Sequence, residues 1–126
     1  MARLFITLYF LLHALFATGQ YVEESLVQYL NDVKSVTQAY SSIWDLDLYA
    51  PILLVDPDTR QIFANEVDQN QQLTKSKELY IGELSKNINV ANTALEWGGK
   101  RWAMIILPLP EDRHQRLQLI THELFH

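Results

Sequence analysis

A chain of 126 residues has room for one domain, and 48% hydrophobic against 20% charged residues is enough apolar content for a core, which excludes a disordered chain. The net charge of −5, with no run of Lys or Arg, argues against nucleic acid as a partner. There is no cysteine, so disulfides and thiolate zinc sites are excluded, leaving His, Asp and Glu as metal ligands.

The first segment has the pattern of an export signal. Met1-Ala2-Arg3 brings one positive charge, Leu4 to Phe16 is apolar except for Thr7 and His13, and Ala17-Thr18-Gly19 offers a small-residue cleavage site before Gln20. The apolar run is shorter than the about 20 residues a bilayer span needs. We therefore expect a signal peptide over residues 1–19 and a mature domain over 20–126. That domain would be secreted or periplasmic, with no stable membrane span after cleavage.

Tyr21 to about Tyr40 predicts an amphipathic helix. Val22, Leu26, Leu30, Val33 and Ala39 fall near one face, Glu23 and Glu24 suit the first turn, and Ser41-Ser42 is expected to end it. Ile52 to Val55 and Gln61 to Asn65 predict a hairpin around the Asp56-Pro57-Asp58-Thr59 turn. Glu66 to Lys77 is polar and is expected to be an exposed connection. Glu78 to Leu84 and Val90 to Trp97 are predicted strands, and Gly98-Gly99 is a two-residue hairpin turn. Arg101 to Leu107 is apolar at successive positions, the pattern of a strand buried on both faces. Pro108 and Pro110 stop it, and Glu111 to His126 is the predicted last helix. The expected fold class is α+β: an N-terminal helix, a mostly antiparallel sheet of about four to five strands, and a C-terminal helix.

That last helix carries His122-Glu123-Leu124-Phe125-His126, an H-E-x-x-H string. At about 100° per residue, His126 falls within about 40° of His122, so one zinc ion can be shared between them. Leu117, Ile120 and Leu124 cluster near 160–220° by the same step, a core face across from the histidines. Leu119 and Phe125 flank the histidine face at about 60° on either side, and Glu123 lies about 100° from His122. From there Glu123 can serve as general base to a metal-activated water rather than as a ligand.

Other residues offer less. His114 is eight positions before His122, about 12 Å along the axis, too far to share the ion. His13 leaves with the signal. Glu78, Glu83, Glu96 and Glu111 have no ligand-like spacing. Asp45-x-Asp47 and Asp56-x-Asp58 lack the Gly and distal Glu of a calcium loop and suit turns. Trp44, Trp97 and Trp102 suit a core or a sheet face.

The string His122-Glu123-Leu124-Phe125-His126, preceded by a sheet and a buried strand, resembles the active-site helix of zincin metallopeptidases. The stretch from Asn92 to Met104, with Pro108-Leu109-Pro110-Glu111-Asp112, is similar to uncharacterised exported bacterial proteins that carry this helix. The zincin resemblance implies that His122 and His126 are zinc ligands, that Glu123 is the catalytic base, and that an antiparallel edge strand pairs with a peptide or protein substrate. Zincins also place a third ligand, a His or Glu, after the motif. The expectation is therefore the N-terminal part of an exported zincin-like zinc metallopeptidase, incomplete within these residues. The alternative is a small exported α+β module that binds a ligand or a protein without catalysis.

Overall fold

The computed structural model describes residues 21–126, and the expected signal peptide with His13 lies outside them. Helix α1 spans Glu23–Trp44 and turns Leu26, Leu30, Val33 and Thr37 inward, the i, i+4, i+7 spacing of one face. The helix passes the expected stop at Ser41-Ser42. The Ser41 hydroxyl donates to the Gln38 carbonyl 2.7 Å away, so it is satisfied within the helix instead of competing with it. Asp45 ends the helix in the left-handed region (φ 49°), with its N–H on the Ser41 carbonyl.

Six strands follow: β1 (Ile52–Val55), β2 (Gln61–Ala64), β3 (Thr74–Ser76), β4 (Leu79–Glu83), β5 (Thr93–Trp97) and β6 (Lys100–Ile106). They form one sheet in the order β3-β4-β2-β1-β6-β5. The α+β class stands, but the sheet has six strands rather than four to five. The extra one, β3, sits within the polar Glu66–Lys77 stretch. It was hidden because Thr74, Lys75 and Ser76 bury nothing, and an edge strand can hold by backbone pairing alone. The sheet is also mixed. β1 pairs with β6 in parallel, placing Leu53 beside Met104 and Leu54 beside Ile105, while the other pairings are antiparallel.

Both expected turns form. The Asp56 carboxylate accepts the N–H groups of Asp58 and Thr59 at 2.8 and 3.2 Å and closes the β1–β2 hairpin. Gly98 and Gly99 sit at φ 56° and 81° between β5 and β6, a turn with both central residues left-handed.

The two central strands are covered on both faces. Ile52, Leu54, Phe63, Ala103 and Ile105 pack with Leu26, Leu30 and Val33 of α1 and Ile120 of the last helix. Leu53, Val55, Ile62, Trp102 and Met104 face the other way. Among the described residues no helix covers that second side; Leu73, Leu84 and the partly buried Ile88 and Val90 cover it from the connecting segments. Two polar side chains hold those segments down. Arg60 donates to the carbonyls of Leu84 (3.0 Å), Ser85 (2.7 Å) and Ile88. The buried Asp68 carboxylate accepts the N–H groups of Asn70, Gln72 and Leu73 at 3.0–3.2 Å. The expected exposed connection is therefore partly a lid over the core, with Asp68 and Leu73 both buried.

Helix α2 spans Arg113–Leu124, shorter at both ends than predicted. Asp112 caps it by accepting the Gln115 N–H at 2.8 Å, so Glu111 stays outside. Among the described residues no helix is long and apolar enough to cross a membrane.

Candidate functional site

The H-E-x-x-H string straddles the end of α2. His122 and Glu123 lie in the helix, Phe125 caps it, and His126 lies just beyond. Phe125 keeps helical backbone angles (φ −76°, ψ −16°), and its N–H still reaches the Thr121 carbonyl. That extra half-turn brings His126 back over His122. Both rings are exposed, their centroids are 4.6 Å apart with planes at 70°, and their Nε2 atoms are 3.1 Å apart.

Two imidazole nitrogens on one tetrahedral zinc, each about 2.0–2.1 Å from it, would be about 3.3 Å apart. The observed spacing is a few tenths shorter. Two neutral imidazoles also hold it without metal, one ring nitrogen donating to the other. The pair thus fits two corners of a zinc site. Among the described residues no group of three or more His, Asp or Glu side chains is placed to hold a metal ion. His114 stands exposed near the other end of the helix.

The core face of α2 is rotated from the expected one. Arg116, Ile120 and Glu123 are the buried residues, and Leu117 and Leu124 are only partly so. Leu119, expected to wall the histidine face, packs against the core instead. Arg116 can go inside because its polar end is satisfied. Its guanidinium stacks 3.9 Å over the Tyr29 ring and donates to the carbonyls of Pro110 and Glu111, both at 2.9 Å. With Arg116 inward, Glu123 is carried inward two turns later.

Glu123 is 8% exposed and lines a groove of about 230 Å³ together with Pro51, Ala94, Arg101, Trp102 and His126. The groove therefore joins the predicted base, one predicted ligand, and the β5–β6 end of the sheet. Among the described residues β5 is an edge strand, with no partner strand on one side of its backbone.

Two neighbours escaped the sequence reading. Arg101, paired across the hairpin with Glu96, donates from its guanidinium to the His126 backbone oxygen. Trp44 meets Phe125 edge-on, ring centroids 6.4 Å apart. Strand alternation signalled only that Arg101 points opposite to the buried Trp102, and nothing local linked Trp44 to Phe125.

Comparison with family models, with curated proteins and with solved structures found no match.

Proposed function

We propose that this is part of an exported zinc-dependent peptidase of the zincin type, with His122 and His126 as two of its zinc ligands and Glu123 as general base. The observation that carries it is the convergence of the two Nε2 atoms to 3.1 Å beside the groove that Glu123 lines. Zinc, when bound, supplies a Lewis acid that lowers the pKa of a bound water and polarises a peptide carbonyl. The chain's own residues do the rest. The unpaired edge of β5 offers N–H and C=O groups to an extended peptide, as strand addition requires. The groove, walled by Pro51, Ala94 and Ala103, lies beside the reacting bond. The Glu123 carboxylate accepts the proton of the attacking water and returns it to the leaving amine.

The test is zinc binding by the purified chain, and cleavage of an unstructured protein such as casein by a form that also carries the third ligand. Glu123→Gln should keep the zinc and lose at least about a hundredfold in rate, the scale of a positioned base. His122→Ala should lose the metal. Cleavage by Glu123→Gln at the original rate, or no zinc uptake at micromolar metal, would overturn the assignment.

A further inference from the structure

We propose that a groove between α1 and the β3–β4 turn binds a free basic amino acid as its zwitterion. It shares no lining residue with the groove of Glu123, and it does not rest on the zinc reading.

One stripe of α1 builds the groove. At about 100° per residue, Glu23, Val27 and Lys34 fall within about 40° of one another, with Asn31 at their side. The stripe faces the β3–β4 turn, where the Ser76 hydroxyl donates to the Glu23 carboxylate at 3.4 Å. Two adjoining hollows of about 240 and 360 Å³ result, and Val27 and Glu78 line both.

The smaller hollow carries one charge of each sign, Lys34 and Glu78. Among the described residues neither forms an ion pair, with the other or with a third group. Opposite charges that line one hollow and stay apart complement a ligand that carries both. The α-carboxylate and α-ammonium of an amino acid are such a pair.

The lining between those charges is fixed. Asn65 accepts the Ile52 N–H at 2.7 Å and donates to the Ala50 carbonyl at 3.1 Å. The Lys34 ammonium lies 5.8 Å from the centre of the Tyr49 ring. Burial raises the Tyr49 pKa, and the Asn65 hydrogen bond opposes this, so the hydroxyl stays a neutral donor near Lys34. The buried Leu30 and Leu79 close the floor. A volume of about 240 Å³ is the room of roughly eight waters, enough for the charged backbone of one amino acid.

The larger hollow takes the side chain. Val27 and the aliphatic stems of Glu23, Glu24, Lys77 and Glu78 line it, so its wall is largely carbon. Its rim holds three carboxylates against one ammonium. A long apolar stem ending in a cation satisfies both, which favours lysine and arginine over leucine and excludes glutamate. Lys34 thus takes the α-carboxylate, Glu78 at the junction the α-ammonium, and Glu23 and Glu24 the distal cation.

The experiment is isothermal titration calorimetry of the purified chain with arginine. The expected result is one site per chain with a Kd of about 1 mM or tighter. N-acetyl-arginine and arginine amide each lack one backbone charge and should bind at least about tenfold more weakly, as should leucine. Lys34→Ala and Glu78→Gln, at exposed positions, should show the same loss with an unchanged circular dichroism spectrum. His122→Ala should bind arginine as the parent does.

No heat of binding up to about 10 mM arginine overturns the site. Equal affinity for the blocked forms overturns the zwitterion, and equal affinity for leucine overturns the basic side chain. Loss of binding in His122→Ala moves the ligand to the histidine pair and overturns this groove.

Discussion

The Arg101 guanidinium donates to the backbone oxygen of His126 and so ties strand β6 to the residue that completes the histidine pair. His126 lies beyond the last helical residue, where helix ends fray unless something holds them. A ligand held by a second group binds metal more tightly than one that must be ordered on binding. Arg101→Ala should therefore weaken zinc binding about tenfold while leaving the fold intact, the lower range for loss of a supporting group. Competition against a zinc-sensitive dye reads this directly. Unchanged affinity would mean that the contact does not order His126.

Glu123 has the opposite character: useful to the chemistry and costly to the fold. Its side chain packs in the groove beside Pro51, Ala94, Ala103 and Leu124, where an apolar side chain would bury more apolar surface. Glu123→Leu should raise stability by about 1 kcal/mol, visible as a thermal midpoint higher by a few degrees, while abolishing cleavage. A lower midpoint would show that the carboxylate holds the groove together.

Asp68 governs the lid over the second sheet face. Burial pushes its carboxyl pKa up, but the N–H groups of Gln72, Leu73 and Asn70 outweigh that and hold it below the usual carboxylate value. A depressed native pKa gives stability that is present above the unfolded value of about 4 and is lost as pH falls through the native one. Denaturant midpoints should accordingly fall below about pH 4 in the parent and respond less in Asp68→Asn. At pH 7 that substitution should cost roughly 2 kcal/mol, the scale of charge-assisted bonds to a carboxylate. Equal acid sensitivity in the two proteins would assign it to other carboxylates.

Gly98 is confined by the same aspartate. A Cβ at Gly98 would lie 2.6 Å from the Asp68 Cβ, and its φ of 56° already disfavours any side chain. Gly98→Ala should cost roughly 2–3 kcal/mol, from left-handed strain plus overpacking. The β5–β6 turn positions Arg101 and the edge strand, so zinc affinity should fall with it. A variant as stable as the parent would show that the Asp68 loop yields easily.

Local signals in the sequence determined the elements that depend on neighbours along the chain. The apolar spacing of Leu26, Leu30 and Val33 marked α1, and the Asp56 and Gly98-Gly99 turns marked the hairpins. The apolar run of β6 declared burial on both faces. The four-residue spacing of His122 and His126 was legible in the same way, although His126 lies beyond the helix end, where Arg101 holds it. Tertiary structure decided the rest. The parallel pairing of β1 with β6 joins segments about fifty positions apart, and no local pattern encodes it. Strand β3 exists only because β4 offers it an edge. The rotation of α2 came from Arg116, whose burial depends on Tyr29 from α1. That rotation placed Glu123 in the groove beside His126. Turns and helix faces answer to bonds within a few residues, whereas the setting of the site answers to packing between distant ones.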